Sequence, residues 1–130
     1  MGQAYEKLKF YQNICEIRRI IYKVTENLPK GSYKLISQMR DAARSAKQNI
    51  REGYSKDTAG EFSHSIKISR GSLDEVEGDI DDCHEDTLIK EDGYKTLKRL
   101  FQETKYQIDR YLDALNRMSR AGTWKSRFRK

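Results

Sequence analysis

Four cations close together in the chain carry the most suggestive chemistry in this sequence. Arg40, Arg44, Lys47 and Arg51 follow one another at steps of four, three and four. On a helix, that spacing places all four within about 60° of one another. Like charges at i and i+4 repel by roughly 0.2–0.5 kcal/mol each, so an anionic neighbour is expected, either nucleic acid or another protein surface. Asp41 and Glu52 are neighbours in sequence but point elsewhere. A second basic group closes the chain. No acidic residue follows Asp113, while Arg117, Arg120, Lys125, Arg127, Arg129 and Lys130 supply the whole net charge of +6. Trp124 and Phe128 are interleaved with these cations. Cations neutralise phosphates and release counterions, and aromatic rings stack on unpaired bases, a combination that suits structured or single-stranded RNA. The alternative for the tail is a solubilising terminus with Trp124 packed back on the body. The candidate nucleic-acid contacts are therefore Arg40, Arg44, Lys47, Arg51, Arg117, Arg120, Trp124, Lys125, Arg127, Arg129 and Lys130.

The opposite chemistry is concentrated at 74–86. Asp74, Glu75, Glu77, Asp79, Asp81, Asp82, Glu85 and Asp86 occur there with no Lys or Arg. They occupy the C-terminal half of a helix, where the macrodipole disfavours negative charge, so compensation from outside that helix is expected. Basic and acidic faces of different copies meeting head to tail would close a ring. A metal centre fits this run poorly, because di-metal bundles take Glu-x-x-His pairs from different helices, whereas Asp81, Asp82, His84, Glu85 and Asp86 sit at one helix end. No metal or cofactor is expected. Catalytic templates are absent as well: there is no nucleophile elbow and no phosphate loop. His64 and His84 stand beside no nucleophile, so a noncatalytic protein is expected. Cys15 and Cys83 are isolated within helical patterns and read as small core hydrophobes.

The elements that must position these residues are all helical. Phe10, Ile14, Ile17, Ile21, Val24 and Leu28 repeat at three and four until Pro29, the single proline. Ile36, Met39, Ala43, Ala46 and Ile50 repeat likewise between Ser32 and Gly53. Phe62, Ile66, Ser69, Leu73, Val76, Ile80 and Cys83 follow a start at Asp57 or Thr58, where Thr58 and Glu61 form a candidate capping box. Tyr94, Leu97, Phe101, Thr104, Ile108, Tyr111, Leu115 and Met118 run to a glycine cap at Gly122. Gly71 and Gly78, with Ser65, Ser69 and Ser72 nearby, predict close approach of another backbone to the third helix.

The 3.5-residue period and short connections predict an all-α, antiparallel up-down-up-down four-helix bundle over residues 1–122, followed by a basic aromatic tail at 123–130. No stretch reaches the roughly 18 apolar residues of a membrane span, and the N-terminus lacks a signal-peptide core. A soluble, cytoplasmic protein is expected.

Several short motifs carry a resemblance. Gln38-Met39-Arg40-Asp41-Ala42-Ala43-Arg44-Ser45, Asn49-Ile50-Arg51-Glu52-Gly53-Tyr54, Glu61-Phe62 and Gly71-Ser72-Leu73-Asp74-Glu75 resemble the small four-helix-bundle proteins encoded in intervening sequences of bacterial 23S ribosomal RNA genes. Leu8, Tyr11, Gln12 and the Leu28-Pro29-Lys30 turn fit the same pattern, and the likeness spans about residues 7 to 118. That superfamily includes the accessory variability proteins of diversity-generating retroelements, which work beside a reverse transcriptase and its RNA. The resemblance implies a homopentameric ring with a basic surface, nucleic-acid binding rather than catalysis, and itself, RNA or a reverse transcriptase as partners. It also implies that Asn49, Glu52 and Glu61 hydrogen-bond around the turn between the second and third helices.

Overall fold

The computed structural model describes residues 4–123. Apart from Thr123, the tail expected at 123–130 lies outside the described residues. After a 3-10 turn at Ala4–Lys7 come four helices, α1 (Lys9–Glu26), α2 (Tyr33–Tyr54), α3 (Ala59–Glu85) and α4 (Glu91–Ala121), with no strand among the described residues. At 1.5 Å per residue, α1 is about 27 Å long and α4 about 46 Å.

Each helix stops for a local reason. α1 ends ahead of Pro29, which has no N–H to offer, and Gly31 at φ +93° turns the chain towards α2. Ser32 takes the N-cap position of α2 without a side-chain cap bond. Thr58 caps α3 by accepting from the Glu61 N–H at 3.1 Å. The reciprocal half of the expected capping box is replaced, since the Thr58 hydroxyl donates to the Glu61 carboxylate at 3.0 Å. α3 and α4 both finish in Schellman geometry. At Gly122 (φ +70°), the N–H groups of Thr123 and Gly122 donate to the Met118 and Ser119 carbonyls. At Thr87 (φ +56°), Leu88 and Thr87 donate to Cys83 and His84 in the same way, so a β-branched residue holds a left-handed conformation.

The helices touch in the order α1–α2–α3–α4–α1, with α2 and α3 packed most extensively. As numbering rises along α2, its partner on α3 falls. Gln38 bonds Asp79, Ser45 bonds Ser72, and Gly53 lies against Ser65. The same inversion relates Arg70 and Asp81 of α3 to Asp109 and Lys98 of α4.

The heptad positions form one core. Phe10, Ile14, Ile17, Ile21, Met39, Ala43, Ala46, Ile50, Phe62, Ile66, Leu73, Val76, Ile80, Cys83, Leu97, Phe101, Ile108 and Leu115 are all buried. Val24, Ile36, Tyr94, Tyr111 and Met118 are half-buried at its margin, as is Cys15. One end of the bundle is aromatic. Tyr5, Phe10, Tyr11, Tyr54, Phe62 and Tyr111 form edge-to-face or tilted pairs with ring centroids 5.1–6.0 Å apart. At the other end, an open cleft of about 520 Å³ lies between Lys23, Val24 and Asn27 of α1's end and Leu88, Ile89 and Lys90.

The glycine expectation needs correction. Gly71 and Gly78 are exposed, and a Cβ added at either would meet nothing within 4 Å. They lie on the outer face of α3, whereas Ser65, Ser69 and Ser72 face α2 and are buried. The tight approach is on α2 instead, because a Cβ at Gly53 would sit 2.3 Å from the Ser65 Cβ. Ser69 donates to the Ala46 carbonyl at 2.6 Å across this seam.

Candidate nucleic-acid interface

α2 presents its basic side chains along its α1-facing edge, beside the buried row of Met39, Ala43, Ala46 and Ile50. Arg44 and Arg51 are exposed and Lys47 is half-buried. Among the described residues, none of these three enters a hydrogen bond or ion pair. Arg40 departs from the expected free stripe. It is half-buried, its Nε donates to the Thr25 hydroxyl at 2.9 Å, one terminal nitrogen donates to the Tyr22 carbonyl at 3.2 Å, and its guanidinium lies 4.5 Å from the Tyr22 ring centroid. Thr25, itself buried, passes its proton to the Ile21 carbonyl at 2.7 Å. Arg40 is thus a tie between α2 and α1 that leaves its charge uncancelled.

α1 adds a cation that the stripe in sequence did not reveal. Arg18 lies 4.7 Å from the same Tyr22 ring, half-buried, with its Nε buried and without a hydrogen-bond partner. Two guanidinium groups on one ring are held by the attraction of cations to the aromatic face. Nothing in the spacing of α2 could show this, because Tyr22 and Arg18 belong to the other helix. Arg51 lies near Tyr11, whose hydroxyl is pushed up by burial, Cys15 and Tyr5, with Arg51 opposing. Arg117 and Arg120 are exposed on the last turns of α4, at the aromatic end that also holds Arg51. Trp124, Lys125, Arg127, Arg129 and Lys130 lie outside the described residues.

The acidic run is compensated within the chain, which corrects part of the expected exchange between copies. Lys98 of α4 bridges Glu77 and Asp81 at 2.7 and 3.0 Å, and Lys105 bridges Glu77 and Asp74 at 2.5 and 2.9 Å. Desolvation pulls both ammonium groups down, but the hydrogen bonds and charges of these acids outweigh it and hold Lys98 and Lys105 above the usual lysine range. Arg70 joins Asp74 to Asp109. Asp79 meets Gln38 rather than a cation, and burial, with a smaller push from Asp82, raises its carboxyl above the usual range. His84 stacks on Tyr94 with centroids 3.6 Å apart and bonds Glu91 at 2.8 Å, which lowers the Glu91 carboxyl. It is a clasp across the α3–α4 turn. Among the described residues, Glu75, Asp82, Glu85 and Asp86 remain exposed without an ion pair, and no three His, Cys, Asp or Glu side chains converge on a metal position.

Comparison with known proteins settles the lineage. The family model of the 23S rRNA-intervening sequence protein matches residues 6–110. The chain belongs to this family. No match is found among the curated proteins. The matched stretch takes in α1, α2, α3 and most of α4, including Arg18, Arg40, Arg44, Lys47 and Arg51, while Arg117, Arg120 and the tail lie beyond it. In this 23S rRNA-intervening sequence protein, many of the motif residues lie on the α2–α3 seam. Gln38, Ser45, Gly53, Phe62 and Ser72 all make contacts there. Asn49 bonds back to the Ser45 carbonyl at 2.8 Å within α2, and Glu61 serves the α3 cap. The Glu52 backbone carbonyl accepts from Ser55 at the turn. No helix among the described residues of this family member is long and apolar enough to cross a membrane.

Proposed function

We propose that this chain is a noncatalytic, cytoplasmic nucleic-acid-binding protein, an antiparallel up-down-up-down bundle assembled into a homopentameric ring, with RNA as its partner. One observation carries the binding part. Arg18, Arg40, Arg44, Lys47 and Arg51 share the α1–α2 face without a single ion pair among the described residues, while Asp74, Glu77 and Asp81 of α3 are drawn off to α4. A face of uncancelled cations attracts a phosphate backbone and releases its counterions. Arg117, Arg120, Trp124, Lys125, Arg127, Arg129 and Lys130 extend the interface in this reading, with Trp124 as a stacking ring. Ring assembly has separate support, because the exposed Glu75, Asp82, Glu85 and Asp86 offer a second copy a complementary surface. In the retroelement reading, the basic row of α2 would meet an acidic surface of a reverse transcriptase.

Fluorescence anisotropy with a labelled RNA tests the binding. Affinity is expected to fall linearly on a log–log plot against salt, with a slope of about −0.7 per single-strand phosphate contacted. The combined variant Arg44→Glu, Lys47→Glu, Arg51→Glu is expected to abolish binding while the helical spectrum is unchanged. Wild-type affinity indifferent to salt, or a charge-reversed variant that binds equally well, refutes the assignment. Light scattering that gives a monomer at both low and high salt refutes the ring.

A further inference from the structure

The basic row of α2 continues towards its N-terminus through positions that carry no charge. Tyr33, Ser37, Arg40, Arg44, Lys47 and Arg51 follow at steps of four, three, four, three and four, so all six lie along one edge of the helix. No acidic and no aliphatic side chain interrupts them. Over 18 residues the row is about 27 Å long. Tyr33 is 79% exposed, the most exposed large hydrophobic residue described, and it has no ring contact, hydrogen bond or ion pair among the described residues. Its ring therefore adds nothing visible to the core.

The setting distinguishes Tyr33 from the other exposed ring. Tyr106 is 62% exposed, but it lies beside Leu8, Phe10 and Tyr111 and contacts Arg110. Tyr33 instead heads a line of cations. Sites for single-stranded nucleic acid combine a cationic track with a ring on which a base stacks. The other rings along this face are already committed: Tyr22 holds Arg18 and Arg40, Tyr11 is buried, and Tyr54 packs on Tyr5 and Phe62.

We propose that Tyr33 is a base-stacking platform at one end of the α2 phosphate track, so that the face selects single-stranded RNA over a blunt duplex. The proposal rests on the nucleic-acid reading above and specifies the form of the ligand. Phosphates run along Arg40, Arg44, Lys47 and Arg51, and an unpaired base lies on the Tyr33 ring. A duplex keeps its bases stacked on one another and has none to offer except at its ends.

The test measures binding of a labelled single-stranded RNA of roughly ten nucleotides, within the usual range of such sites, and of the blunt duplex of the same sequence. Wild type, Tyr33→Ala, Tyr33→Phe and Tyr106→Ala are compared at low salt. Alanine is a better helix former than tyrosine, so Tyr33→Ala keeps α2 intact. Tyr33→Ala is expected to weaken single-strand binding about five- to a hundred-fold, the range of one lost base–aromatic stack. Tyr33→Phe and Tyr106→Ala are expected to match wild type, and the duplex to bind all four equally. Tyr33→Ala binding the single strand as wild type does overturns the stacking role while leaving the cationic face standing. An equal loss for duplex and single strand, or a change in oligomeric mass on Tyr33→Ala, also overturns it. Wild type binding neither RNA overturns this proposal and the nucleic-acid reading together.

Discussion

Arg40 and Arg44 are four residues apart and share one stripe, yet they do different work. Arg40 Nε and a terminal nitrogen are engaged by Thr25 and the Tyr22 carbonyl, whereas Arg44 is exposed and unpaired among the described residues. Hydrogen bonds from a charged group contribute about 1.5–3 kcal/mol, so Arg40→Gln is expected to lower unfolding stability by roughly 1–2 kcal/mol in urea titrations. Arg44→Gln should leave stability within about 0.5 kcal/mol of wild type and make the salt slope of RNA binding shallower by about 0.7. The row itself was legible from its spacing alone. The distinction within it was not, because Tyr22, Thr25 and Arg18 belong to α1, and helical spacing is silent about what a neighbouring helix presents. Glycine teaches the same lesson. Gly71 and Gly78 stood out by their cost within a helix, but only the packing of α3 against α2 distinguishes them from Gly53. In thermal unfolding, Gly71→Ala is expected to stabilise by about 0.5–1 kcal/mol, as an exposed helix interior allows. Gly53→Ala should destabilise by about 1–3 kcal/mol, because its Cβ overlaps Ser65.

Helix boundaries followed from punctuation that needs no tertiary context: Pro29 after α1, Thr58 with Glu61 at the start of α3, and Gly122 after α4. The α3–α4 turn was the weakest of these signals, since it ends on a threonine in a left-handed conformation where glycine is usual. Holding an L-residue there costs about 1–2 kcal/mol. Thr87→Gly is therefore expected to raise the urea midpoint, with a gain of about 1 kcal/mol and an unchanged slope. A lower midpoint would mean that the Thr87 side chain contributes something beyond the turn. The acidic half of α3 was also visible in sequence, as was its need for compensation from outside the helix, but not that α4 of the same chain supplies part of it. Lys98 and Lys105 are separated by one heptad on α4 and meet Glu77 from two sides, a pairing that depends on the register between two helices.

For the whole molecule, alkali is the informative perturbation. Burial pushes the Tyr111 hydroxyl up to about 12 and raises Tyr11 too, while Lys98 and Lys105 are held above their ordinary range by their acids. All four groups keep their protons in the folded chain at a pH where the unfolded chain has begun to lose them. Their contribution is therefore complete below the unfolded values of 10.0 for tyrosine and 10.5 for lysine, and is lost as pH rises through the folded values. Burial also raises the Cys83 thiol above its ordinary value of 9.0, so unfolding stability is expected to hold from neutrality to about pH 9 and then fall, most steeply above about pH 10, with Tyr111 accounting for up to roughly 3 kcal/mol. Urea titrations between pH 8 and about pH 12 check the onset; a decline already evident near pH 8 would contradict it. The four helices around one core were legible because a 3.5-residue period repeated four times admits few other solutions. The partition of charge among the faces was not, since it depends on which helices become neighbours.

The six aromatic rings gathered at one end have a consequence for motion. Edge-to-face contacts bind the first turn of α1 to the ends of the other three helices there, whereas the opposite end has an open cleft and the left-handed Thr87. Amide protons should therefore exchange with solvent in a gradient along the bundle axis, fastest around 27–32 and 86–90 and slowest beside Phe62 and Tyr111. The bundle frays like a rope bound at one end, and Tyr33 sits among the loose strands.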